Sequence, residues 1–169
     1  VASAFSTRTG IHAYNDVVIN TAVGTANGEV TIRPDSDCNG AGILKVTGSG
    51  AVFTNSQILR IQARDVDILG TINTGSVETR FEPYCNSISI DVGGTGTTTT
   101  GQLRVSQSEL QKLTSTNVTF IAATGNVYVY KTVASDTTNI AGRVNLLPQP
   151  SKNLEFRASS EFKSIKGVA

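Results

Sequence analysis

The chain has no methionine and no tryptophan, a single histidine (His12) and only two cysteines (Cys38 and Cys85). One histidine and the lack of any Cys-x-x-Cys spacing exclude the usual zinc sites, which need four converging N and S ligands. Charge is scarce as well. Charged residues make up 16% of the chain, where roughly a quarter is usual, and the formal net charge is +1. Too few cations are present for a polybasic nucleic-acid binder, and too little repulsion for a highly charged disordered tail. No apolar run approaches the roughly 18 residues that would span a bilayer, and Val1-Ala2-Ser3-Ala4-Phe5-Ser6 lacks the basic region and apolar stretch of an intact signal peptide. The missing methionine, at position 1 too, suggests a processed chain or one segment of a longer one. Nothing in the composition asks for a cofactor.

Gly and the small hydroxylated residues take the place of the missing charge. The 169 residues suit one domain, expected over 1–169. Short runs of β-formers recur along the whole chain, among them Glu29-Val30-Thr31-Ile32, Ile58-Leu59-Arg60-Ile61, Ser87-Ile88-Ser89-Ile90, Asn117-Val118-Thr119-Phe120 and Asn126-Val127-Tyr128-Val129-Tyr130. Apolar and polar residues alternate in them, the period of a half-buried strand. Gly beside Asn, Asp, Ser or Thr separates them, which is turn chemistry. The spacing predicts helix only over 106–113, where Ser106 or Ser108 caps and Leu110 and Leu113 share a face.

The pairs Val30/Ile32, Leu59/Ile61, Ile88/Ile90 and Val118/Phe120 recur at intervals of 29, 29 and 30 residues. Most connections lack the Asn-Gly or Asp-Gly tips of hairpins, which argues against a sandwich or Greek-key barrel. An all-β stack of parallel coils, a β-solenoid, is therefore expected. Its core is an aliphatic column that needs few aromatics, and aromatics make up 6% of the chain.

Three stretches resemble repeats of the filamentous-haemagglutinin-like and large autotransporter adhesins. They are Glu29-Val30-Thr31-Ile32-Arg33-Pro34-Asp35-Ser36-Asp37, Ala63-Arg64-Asp65-Val66-Asp67-Ile68-Leu69-Gly70-Thr71-Ile72-Asn73-Thr74-Gly75 and Leu103-Arg104-Val105-Ser106-Gln107-Ser108-Glu109-Leu110-Gln111-Lys112-Leu113. They occur in the order such repeats use, and the resemblance covers about residues 15 to 165. It implies a right-handed parallel β-helix acting as a stalk or fibre outside the cell, with no catalytic residues to carry over.

Cys38-Asn39 and Cys85-Asn86 lie in matched corners, and an even pair outside the cell usually bonds. An intrachain disulfide is favoured, with an interchain bond or free thiols as alternatives. Adjacent coils, about 4.8 Å apart, fit the roughly 4.4–6.8 Å that a disulfide spans between Cα atoms; two coils apart do not. Asp35/Asp37 and Asp65/Asp67 form two Asp-x-Asp pairs. On successive coils they would suit polysaccharide cleavage or calcium, but the favoured reading makes them solvated corner and strand-face residues. Asn117-Val118-Thr119 is a glycosylation sequon inside an expected strand. Tyr128 and Tyr130 share the outward parity and offer an aromatic patch for a glycan or another subunit. Residues 95–101 read as a projecting surface loop, and His12 as a structural or exposed imidazole.

Together these features point to a non-enzymatic extracellular structural or adhesive module on the cell surface that stacks head to tail, as a homopolymer or as covalent tandem repeats. The assembly ends are placed at Val17, Val18 and Ile19 and at Leu154, Phe156 and Ile165. Surface glycans are further candidate partners; nucleic acid and a membrane span are not expected. The alternative is a carbohydrate-binding or carbohydrate-active β-helix.

Overall fold

Strands of two to six residues follow one another around three sides in the computed structural model, which describes residues 3–5, 9–25, 28–85, 88–95 and 102–167. The first circuit comprises β1 (Ser3–Phe5), β2 (Thr9–His12) and β3 (Val17–Ile19), and the second β4 (Ala22–Thr25), β5 (Val30–Arg33) and β6 (Ile43–Val46). The third comprises β7 (Ala51–Phe53), β8 (Leu59–Ile61) and β9 (Asp65–Ile68). The fourth has four strands, β10 (Thr71–Asn73), β11 (Glu78–Phe81), β12 (Ser89–Val92) and β13 (Gln102–Val105). A short helix α1 (Gln107–Leu110) leads to β14 (Leu113–Thr114), β15 (Asn117–Ala122) and β16 (Val127–Val129). A 3₁₀ turn (Ala134–Thr137), β17 (Val144–Pro148), β18 (Leu154–Phe156) and β19 (Ile165–Gly167) follow.

The fold is all-β with parallel sheets, and every pairing between these strands is parallel. The first side carries β1-β4-β7-β10-β14, extended by a bridge from Ser115 to Ile140. The second carries β2-β5-β8-β11-β15-β17-β19. On the third lie β3-β6-β9 and then β13-β12-β16-β18, with β13 beside β9. Among the described residues no helix is long and apolar enough to cross a membrane.

Alternation along each strand sends one set of side chains inward. On the second side Ile11, Ile32, Ile61, Phe81, Phe120 and Leu146 form one in-register column. The Phe81 and Phe120 rings stack with centroids 5.2 Å apart. The neighbouring column runs Val30, Leu59, Thr79, Val118, Val144 and Ile165, with sequence steps of 29, 20, 39, 26 and 21 residues. The regular 29–30-residue interval is thus not the stacking period. Ile88 and Ile90 do not lie above Leu59 and Ile61; Ile90 is on the third side, paired with Leu103 and Val127. Side-chain pattern sets strand register, while each corner takes whatever length its loop happens to have.

One corner column is polar. Thr54, Thr74 and Ser115 are buried at successive turns from the first side to the second. Ser115 Oγ has the corner carbonyls of Val77 (2.8 Å) and Asn117 (2.6 Å) within reach of its one proton, and accepts from Thr79 N–H (3.1 Å) and from Thr74 Oγ1 (2.8 Å). A hydroxyl in each turn thereby satisfies backbone groups that the bend removes from the sheet ladder. Between the third side and the first, circuits approach so closely that a Cβ on Gly70 would lie 2.1 Å from the Gly50 carbonyl oxygen, and one on Gly50 2.1 Å from that of Ile19.

Helix α1 covers 107–110 rather than 106–113, because Leu113 already belongs to β14. Its capping box is complete: Ser106 Oγ accepts the Glu109 N–H and Glu109 accepts the Ser106 N–H.

Candidate functional site

The third side is where the strand succession becomes irregular. The chain leaves β12 through Gly93 and Gly94, both at positive φ (84° and 70°), and returns as β13 below β12 rather than above it. Residues 96–101, most of the expected Thr-rich loop, lie outside the described residues.

This insertion lines up outward polar residues across β13, β12, β16 and β18. Asp91 is in register with Arg104 on one side and Tyr128 on the other, and Tyr128 with Glu155. Asp91 is only 2% exposed although it sits on an outward position. The Gln102 amide lies 2.6 Å from its Oδ2 and donates to it in the orientation that satisfies both groups. Burial pushes the Asp91 carboxyl up to about 6, with Asp65 adding to the rise and Arg104 and Arg157 opposing it. The Arg157 guanidinium covers the Tyr128 ring at 3.6 Å and donates to the Tyr130 hydroxyl at 2.9 Å and to Glu155 at 3.1 Å. Tyr128 and Tyr130 thus have the expected outward parity, between buried Val127 and Val129. A sugar stacking on Tyr128 would have to displace Arg157.

Between β9 and β13–α1 the sheet ladder gives way to side-chain bridges. Asp65 Oδ1 accepts the Arg104 N–H at 3.0 Å, and Glu109 Oε1 accepts the Ile68 N–H at 3.1 Å. Burial raises the Glu109 carboxyl, while its bonds from Ser106 and Ile68 pull the other way. A cleft of about 410 Å³ opens there, lined by Asp65, Asp67, Leu69, Arg104, Ser108 and Lys112 among others. On the opposite flank of α1 lies a second cleft of about 540 Å³, lined by Ser106, Gln107, Ser108, Gln111, Val133 and Ser135 among others. Its floor is organised by Asp136, which is 2% exposed. Asp136 accepts from the Gln107 amide (3.0 Å), the Gln111 amide (2.7 Å) and the Val133 N–H (2.9 Å).

The two Asp-x-Asp pairs do not form a common site. Asp35 sits in the loop after β5, buried and at φ 57°, where both carboxylate oxygens accept the Gly40 N–H at 3.0 and 3.2 Å. It shapes that loop and is not the solvated corner residue expected. Asp37 is exposed and accepts from Asn39, and Asp65 and Asp67 lie on β9. Among the described residues no group of three or more His, Cys, Asp and Glu gathers as a metal site.

Cys38 and Cys85 are bonded, with Cα atoms 5.5 Å apart. They do not occupy adjacent circuits: Cys38 lies in the nine-residue loop 34–42 of the second circuit, Cys85 in the seven-residue loop 82–88 of the fourth. The intervening corner, 62–64, has three residues, so the longer loops meet beyond it. Asn117 begins β15 at intermediate exposure, and its Oδ1 accepts the Arg143 N–H of the next circuit at 3.0 Å. His12 is exposed at the end of β2.

The two ends differ. Val17 and Ile19 are buried at 8% and 4%, and only Val18 of the three faces solvent. At the other end Leu154, Phe156 and Ile165 stand in register over the buried Val127, Val129 and Val144, yet Phe156 is 52% and Ile165 42% exposed. Asp91, Arg104 and Arg157 had no motif to announce them, because register between circuits brings them together, and Asp136 meets Gln107 and Gln111 only through the fold, 29 and 25 residues apart in sequence. Comparison with protein-family models, curated proteins and solved structures finds no match to this chain.

Proposed function

We propose that the chain is a right-handed parallel β-helix serving as a structural or adhesive module of an extracellular stalk or fibre, stacking end to end as separate copies or as tandem segments. The observation that carries this reading is the last circuit. Side chains in columns that are fully buried one rung below emerge into solvent at Phe156 and Ile165. Among the described residues no strand pairs with the outer edges of β18 and β19. An apolar core end bordered by open strand edges favours another β-circuit as its cover. A net charge of +1 offers little repulsion to stacking, and a contact between unlike ends that does not close on itself generates a filament.

The disulfide supports an oxidising, extracellular setting, and the likeness of three stretches to adhesin repeats supports the stalk reading. The test is sedimentation and negative-stain microscopy of the purified chain beside Phe156→Lys, Ile165→Lys and Val18→Pro variants. Fibres that shorten or vanish in the variants, with circular dichroism unchanged, are expected. A stable monomer of the unmodified chain at high concentration, without fibres, overturns the self-assembly.

A further inference from the structure

We infer that the two clefts flanking α1 form one groove that binds a neutral saccharide chain. They meet at α1, since Ser106 and Ser108 line both. A ligand lying over the short helix would engage both, away from either end of the stack.

The lining selects the ligand class. Ser108 and Ser135 are exposed hydroxyls that donate and accept. Gln107 and Gln111 are planar amides held in place by Asp136, and fixing an amide at its nitrogen also fixes its carbonyl oxygen. Asp65 and Asp67 add acceptors, and Lys112 a donor, in the first cleft. A ligand must therefore offer many groups that both donate and accept, which is the property of a polyhydroxylated ring. Leu69, 63% exposed, and Val133, 38% exposed, stand in opposite clefts as small apolar shelves suited to sugar C–H faces. In the first cleft Arg104 and Lys112 stand against Asp65, Asp67 and Glu109, and the second adds Asp136, so the groove offers no net positive charge that would favour uronates or sulfated chains over neutral ones. The groove is also stiff before any ligand arrives, through the Ser106–Glu109 capping box, the Glu109 bond to Ile68 and the three bonds to Asp136. Fewer side chains then lose freedom on binding.

The experiment is saturation-transfer NMR of the intact, disulfide-bonded chain with mannohexaose, cellohexaose, xylohexaose and oligoguluronate, followed by titration calorimetry on any that respond. Transfer to at least one neutral hexasaccharide is expected, with affinity at least tenfold lower in Ser108→Arg, whose side chain fills the junction of the two clefts. Ser135→Arg, on the far wall, gives the same loss should Ser108→Arg lower the melting temperature. No transfer to any neutral hexasaccharide, transfer to oligoguluronate alone, or binding unchanged in the folded arginine variants would each overturn the inference.

Discussion

Cys38 and Cys85 are joined across a circuit to which neither belongs. Their loops reach over the three-residue corner 62–64, and the bond closes a sequence separation of 47 residues. Chain-entropy arithmetic for a loop of that length gives about 4 kcal/mol of stabilisation. The Cys38→Ser/Cys85→Ser double variant is expected to lose up to that amount in urea unfolding. Intact mass before and after alkylation without reductant checks the bond itself; two alkylatable thiols would contradict it.

The Phe81–Phe120 stack sits mid-column with both rings fully buried. Phe120→Ala is expected to cost about 3–5 kcal/mol, since the rungs above and below are held by their own ladders and cannot close the gap. Arg60→Gln, on the outer surface of the same sheet, removes partly exposed ion pairs to Glu29 and Glu82. Its cost is expected to stay within about 1 kcal/mol. Equal denaturant midpoints for the two variants would refute the inward and outward assignment.

Ser115 replaces ladder partners in a buried corner. In Ser115→Ala the buried Thr79 N–H loses its hydroxyl acceptor, at about 1–3 kcal/mol, while the Val77 carbonyl loses one donor but keeps the Thr116 N–H. Ser115→Thr is expected to retain most of the stability, since Thr54 and Thr74 already serve in the same column. Thermal melts of the two variants side by side distinguish a lost hydroxyl from altered volume.

Asp91 makes stability depend on pH. Its carboxyl titrates near 3.8 when unperturbed and near 6 in the folded chain, so the folded state holds the proton more tightly. The contribution is present below the unperturbed value and is lost as pH rises through about 6. Glu109 is shifted in the same direction. The wild-type melting temperature is expected to fall between pH 4 and pH 7 more steeply than that of Asp91→Asn, measured by scanning fluorimetry at constant ionic strength. Parallel profiles would contradict the role of this carboxyl.

Alternation made the strands legible from sequence: Val118 and Phe120 inward, Tyr128 and Tyr130 outward, and Asp65 and Asp67 on one side of β9 can all be read from neighbouring residues. Corner lengths were not legible, because between the second side and the third alone loops of three to nine residues are all compatible with the same stack. That is why Ile90 seemed to continue the column of Ile61 when Phe81 does. The Cys38–Cys85 bond is expected from the matched contexts and the even count; that it spans a whole circuit is not, since it depends on the lengths of the two loops. The alignment of Asp91 with Arg104 and Tyr128 depends on β13 being placed under β12, an order that no local pattern records.

That inverted order bears on how the chain is made. A stack of parallel circuits can grow on the ribosome by adding each new strand to the one before it. Here β12 emerges first yet has no place directly on β9, because β13, ten residues later, occupies the position between them. Growth of the third side strand by strand would therefore leave β12 without its lower neighbour until Gln102–Val105 has emerged. Only then does the edge of β12 have a completed platform beneath it on which β16 and β18 can build.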